Sequence, residues 1–139
     1  ILRFQLDIRH RPCNFAELLP RLREHEHERR LAITVWFTAD THFGHGGALG
    51  LFRRPFASVA AMDAALVAAW NAAVEPTDTV WHLGDVVVPA RAARAAELLT
   101  RLHGTKHLIA GNNDSAAVRA LPGWASVRDY AELELEAGG

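Results

Sequence analysis

LAITVWFTADTHFGH, residues 31–45, decides the fold. Its first nine residues are a nearly unbroken apolar, β-rich run, the pattern expected of a strand covered on both faces, as in parallel sheets with helices packed on them. The run delivers Asp40 and His42 to the strand's C-terminal end, then turns through Gly44 to His45. A carboxylate and an imidazole two apart on extended backbone project to the same side, where they can share one cation.

The same handover recurs twice. TVWHL (79–83) reads as a second strand running into Gly84 and Asp85, and KHLIA (106–110) as a third running into Gly111, Asn112, Asn113 and Asp114. Between them, residues 58–74 read as a helix capped by Ser58, because Val59, Met62, Leu66, Trp70 and Val74 recur every three or four positions. ARAARAAELLTRLHG (90–104) reads as a helix closed by Gly104. VRDYAELEL (127–135) sets Ala131, Leu133 and Leu135 against Glu132, Glu134 and Glu136, which predicts a strand with one buried face near a sheet edge. Strands alternating with helices predict an α/β fold with a mainly parallel sheet.

Residues 1–30 stand apart as an N-terminal extension, and 31–139 form the domain. ILRFQLDI (1–8) alternates like a half-buried strand, and the charged stretch 14–30 is helix-like, interrupted by Pro20. Within it, EHEHERR (24–30) sets His25 and His27 among glutamates, but positions two apart on a helix face different ways, so a solvated face is the better reading.

Composition limits the function classes. The chain has 139 residues, half of them apolar, enough to bury about 70% of its extended surface in one core. Its 15 basic and 16 acidic residues nearly cancel, so no net field recommends nucleic acid or an anionic membrane as partner. The lone cysteine, Cys13, rules out an internal disulfide framework and fits a reducing cytoplasm. No apolar stretch approaches the roughly 20 residues that span a bilayer, and the N-terminus lacks a signal-peptide core. The expectation is a cytoplasmic protein. A start at Ile1 and an end at Gly138 and Gly139, soon after a strand-like run, predict a fragment.

Any one of the three strand-end clusters is ordinary turn chemistry. Together they are more specific, because the carboxyl ends of strands in open α/β sheets face the ligand crevice and bring distant residues to one site. Asp85 can bridge two cations with its two oxygens, the Asn112 amide oxygen offers a neutral ligand, and Gly84 and Gly111 permit tight turns and close approach to a ligand.

In order and spacing these motifs resemble the calcineurin-like metallophosphoesterases, whose pattern runs Asp-x-His, Gly-Asp, Gly-Asn-His-Asp/Glu. The resemblance is nearest to a bacterial subgroup with an FTxDxHFGH opening, a following RPF and a VWHLGD strand, here FTADTHFGH (37–45), RPF (54–56) and VWHLGD (80–85). It covers roughly residues 33–136, the N-terminal half of such a domain. It implies a four-layer α/β/β/α sandwich, incomplete at the C-terminus, and a two-metal site with Asp40 and His42 on one ion, Asp85 bridging and Asn112 on the other. The implied activity is hydrolysis of a phosphomonoester or phosphodiester by a hydroxide generated between two divalent ions, Mn²⁺ from the family, with Fe or Zn²⁺ also suited to oxygen and nitrogen ligands. The implied substrate is a phosphate-ester small molecule or nucleotide.

Two departures bear on activity. Asn113 stands where the family pattern has histidine; an amide can hydrogen-bond a leaving oxygen but cannot deliver a proton, and Asp114 loses the histidine it would orient. His45, near the same loop, is the substitute donor. The family also completes its metal shells with a later Gly-His-x-His stretch that these 139 residues do not contain. The expectation is therefore weak Mn²⁺ binding, impaired turnover, and a sheet edge near 127–136 open to self-association. The alternative is a noncatalytic module that binds a phosphorylated ligand or a protein.

The remaining residues divide between packing and steering. Trp36, Trp70, Trp81 and Trp124 read as core, and His82 as a core residue or a support to the site. His103 and His107 lack carboxylates at ligand spacing. Arg53 and Arg54 belong either to phosphate steering or to a solvated loop.

Overall fold

The computed structural model describes residues 33–87 and 92–133, all within the unit Ile33–Gly139. The expectations for 1–30, including the strand at 1–8, EHEHERR and Cys13, lie outside the described residues, as do those for 134–136. Four strands, β1 (Val35–Thr38), β2 (Thr79–His82), β3 (Thr105–Ile109) and β4 (Trp124–Arg128), form one sheet in the order β1-β2-β3-β4. Every pair is parallel. The helices are α1 (Gly46–Leu51), α2 (Val59–Ala73), α3 (Ala92–Arg101) and the single turn α4 (Ala116–Arg119).

Sequential strand order with crossovers of one hand puts successive helices on one face of the sheet. The core obeys this. Val80 and Leu108 from the strands meet Val67, Trp70 and Val74 from α2 and its end, and Leu98, Leu99 and Leu102 from α3 and its end, with Trp36 and Val127 packed at the margin. α2 begins where Ser58 Oγ accepts the Ala61 N–H at 3.1 Å, satisfying one of the free donors of its first turn. The apolar stripe read from the sequence is buried at Met62, Trp70 and Val74, but Val67 and the carboxylate of Asp63 share that interior. Gly104, at φ +84°, closes the α3 connection; there the Lys106 ammonium donates to the Leu102 and Gly104 carbonyls, at 2.8 and 2.9 Å.

Two expectations need correction. Among the described residues, strand β1 has one covered face: Val35 and Phe37 are 36% and 47% exposed while Trp36 packs against the core. Among the described strands it lies at an edge, and an apolar run alone does not say whether a second layer lies over it. Strand β4 lies at 124–128, earlier than 127–135. Its register follows β3, from Lys106↔Trp124 to Ile109↔Arg128, and ends where β3 gives way to the loop at 111–114. The edge position itself is as expected. Among the described residues no helix is long and apolar enough to cross a membrane.

Asp78, read from the sequence as a turn residue, ties β1 to β2. Its buried carboxylate accepts the Thr34 N–H, the Trp36 indole N–H and the Glu75 N–H at 2.9–3.0 Å. A carboxylate so used offsets its desolvation with charge-assisted bonds.

Because Leu98 is fully buried at the centre of this core, Leu98→Ala is expected to lower stability by about 2–5 kcal/mol. Urea denaturation reads this directly, and an unchanged midpoint contradicts the shared core.

Candidate metal centre

Register sets the site. Thr38 pairs with His82 and His82 with Leu108, so β1, β2 and β3 release their loops from the same edge of the sheet. The pairing of β1 with β2 continues beyond the strands: Asp40 N–H donates to Gly84 O (3.0 Å), His42 N–H to Asp85 O (3.1 Å) and Phe43 N–H to Val86 O (2.8 Å). A last parallel bridge joins Phe43 to Val87. The two loops thus run side by side, and Asp40, His42 and Asp85 come together: one ligand atom from each lies within 4.8 Å of the others.

All three sit at left-handed backbone angles, with φ 55°, 49° and 59°. Such angles cost an L-residue about 1–2 kcal/mol, and they persist where surrounding contacts impose them. The contacts are identifiable. The Arg54 guanidinium donates to the Asp40 and Thr41 carbonyls at 2.6 and 2.7 Å, beneath which lies Phe52, 5.6 Å from the guanidinium carbon. Arg54 is therefore neither a free phosphate-steering group nor solvated loop; it fastens the first turn of the site. Asp114 is buried and fastens the second. Its carboxylate accepts the N–H groups of Asp85 (2.8 Å), Val86 (3.0 Å) and its own loop's Gly111 (2.9 Å). Without a histidine at 113 to orient, the Asp114 carboxylate is spent on backbone N–H groups.

Gly84 and Gly111 make their close approach to each other. A Cβ on Gly84, at φ +100°, would lie 2.5 Å from Gly111 N, and one on Gly111 would lie 2.5 Å from Asp85 Oδ1 and 2.9 Å from Asp85 N. Only hydrogens fit there.

Asn113 reaches the site as well: its N–H donates to Asp85 Oδ1 (3.1 Å) and its amide Nδ2 to Asp85 Oδ2 (2.8 Å). Asn112 is exposed on the same turn, between Gly111 and Asn113, which both meet Asp85. The His45 ring lies 5.5 Å from the His42 ring, and the Phe52 ring lies 5.2 Å from it.

The donors fit a divalent cation. Two carboxylates and an imidazole, without thiolate, suit Mn²⁺, Fe or Zn²⁺. His42 is 5% exposed, and burial lowers its pKa below 6.5; Asp85 opposes this, Arg54 adds to it, Asp40 opposes and His45 adds. A neutral ring is the ligating form. His42 Nε2 lies 3.5 Å from Asp40 Oδ1, while His42 Nδ1 and His45 Nδ1 are buried without a hydrogen-bond partner.

No protein-family model matches the chain. It is 37% identical over 81 residues to an uncharacterized protein of Methanocaldococcus jannaschii, a match covering 58% of this chain and 46% of that one. It is also 37% identical over 82 residues to the Gene 66 protein of Mycobacterium phage L5, covering 58% and 39%. The matches span less than half the length of these relatives. A solved structure, that of a protein of unknown function from Aquifex aeolicus, superposes with a TM-score of 0.62 at 22% identity. It covers 76% of this chain and 56% of that one, and shows likeness of fold alone.

Gly111→Ala is expected to cost about 1–3 kcal/mol, because the added methyl meets backbone that cannot swing away. An unaltered urea midpoint contradicts the close approach. His82 is wholly buried at the end of β2, and burial lowers its pKa to about 3. The unfolded chain then takes up a proton near pH 6.5 that the folded chain refuses until about 3, so stability falls as pH drops through that window. The slope approaches about 1.4 kcal/mol per pH unit. His82→Gln removes this part of the slope and leaves that of His42; parallel curves for variant and wild type contradict it.

Proposed function

We propose that the chain carries the metal-binding half of a metal-dependent phosphoesterase. One observation carries this reading: Asp40, His42 and Asp85, from two strand ends, place their ligand atoms within 4.8 Å of one another on strained backbone. Two carboxylates brought that closely together repel one another unless a cation is held between them, and the neutral imidazole beside them adds a nitrogen ligand for that cation. The order of motifs in the sequence supplies the chemical class.

In this reading Asp40, His42 and Asp85 would hold a divalent ion, and Asn112, on the turn that meets Asp85, would offer its amide oxygen to a second. Divalent cations bound there supply Lewis acidity toward a phosphate ester and the attacking water. Asn113 orients the Asp85 carboxylate through the bond at 2.8 Å and can donate its amide to a leaving-group oxygen. His45, beside His42, is the candidate for proton delivery. The substrate class is a phosphomonoester or phosphodiester of a small molecule or nucleotide.

In this reading the sheet and its helical layer are half of an α/β/β/α sandwich. The exposed apolar side chains Val35 and Phe37, on the face away from the helices, support a further layer there.

A second reading has its own observation. Asn113 replaces a proton-donating histidine and is occupied with Asp85, which favours a module that binds a phosphorylated ligand without hydrolysing it.

The test is release of p-nitrophenol from bis-p-nitrophenyl phosphate with millimolar Mn²⁺. Slow, Mn²⁺-dependent hydrolysis is expected, falling by about 100-fold or more in Asp85→Asn, which keeps the side chain's shape but removes its charge. Mn²⁺ binding with phosphate binding but no turnover favours the module. Absence of Mn²⁺ binding at millimolar concentration sinks both.

A further inference from the structure

His82 lies at the end of β2, 1% exposed, three positions before Asp85. Its Nδ1 accepts the Gly84 N–H at 3.2 Å. Nδ1 is therefore unprotonated, and in the neutral ring the proton sits on Nε2. Nε2 lies 3.0 Å from Thr41 Oγ1 and donates to it; that hydroxyl donates in turn to the Val86 carbonyl at 3.0 Å. Donors and acceptors alternate without conflict, from Gly84 through His82 and Thr41 to Val86. Asp85 lies between the two backbone groups that this relay engages, and Thr41 lies between Asp40 and His42.

The ring is held on its other sides by indoles. Trp70 stacks on it at 15° with centroids 6.5 Å apart, and Trp124 meets it edge-on at 6.4 Å. Its direction is therefore set by packing as well as by hydrogen bonds. The Thr41 hydroxyl is itself buried, so neither partner can exchange its bond for one to water without leaving a buried polar group unmet.

We propose that His82 is a positioning residue which, through the Thr41 hydroxyl, locks the loop carrying Asp40 and His42 to the loop carrying Asp85 and so sets the affinity of the site for a divalent cation. The proposal rests on the metal-site reading above. It assigns His82 no contact with metal or substrate.

The test measures Mn²⁺ affinity of the full chain by the electron paramagnetic resonance signal of the free ion, at a temperature where circular dichroism shows each variant folded. Thr41→Val keeps the shape and removes both hydrogen bonds; its Mn²⁺ dissociation constant is expected to rise about 10- to 100-fold. Thr41→Ser keeps the hydroxyl and is expected to stay near wild type. A role in stability alone would lower the unfolding midpoint of Thr41→Val without moving its affinity, and that result overturns the proposal. If Thr41→Val does not fold, ¹⁵N imidazole shifts of the wild-type chain decide: a neutral His82 protonated at Nε2 supports the relay, and protonation at Nδ1 overturns it. Wild type that binds no Mn²⁺ removes the site reading and the proposal together, whereas wild-type binding matched by Thr41→Val removes the proposal alone.

Discussion

Hydrogen bonding between β1 and β2 does not stop where the strands stop. Residues 40, 42 and 43 donate to the carbonyls of 84, 85 and 86, and this short continuation sets Asp40 and His42 beside Asp85. It requires the backbone to leave the extended region at Asp40, His42 and Asp85, and each departure has a restraint beside it. Arg54 holds the first loop by its carbonyls, Asp114 holds the second by its N–H groups, and the facing glycines 84 and 111 let the third loop close onto the second. Charge-assisted bonds to backbone are strong enough to oppose the local strain.

The electrostatics follow from that geometry. Asp40 and Asp85 are brought near each other and near a buried imidazole that burial keeps neutral, so nothing within the cluster itself balances the two carboxylates. Arg54 is a strong cation beside the cluster, and its fork is turned to backbone carbonyls. A divalent ion would answer this imbalance with the donor types present.

Much of the architecture was legible because it is local. Ser58 caps α2 within three residues, strands β2 and β3 stand within a residue of their expected ends, and the polar clusters at 40–42, 84–85 and 111–114 sit after strands as their sequence implies. What was not legible depends on partners far along the chain. Asp63 is buried because it accepts the Gly44 N–H and lies 3.6 Å from Arg94, groups 19 and 31 positions away. Arg54 sits in RRPF, which says nothing of the carbonyls it finds. His82 could be placed in the interior, but its bond to Thr41 spans 41 positions. The exposure of Phe37 depends on whether another layer lies over the sheet, which hydrophobicity within β1 cannot encode.

Asp40, His42 and Asp85 bring the donors a divalent cation needs within reach of one another. Crystals soaked in MnCl₂ and measured near the manganese absorption edge test most directly whether they hold one. An anomalous peak within about 2.0–2.4 Å of a carboxylate oxygen of Asp40 and of Asp85 and a ring nitrogen of His42 is the predicted result. Manganese bound only elsewhere, or not at all, with the three side chains free of it, would contradict the account.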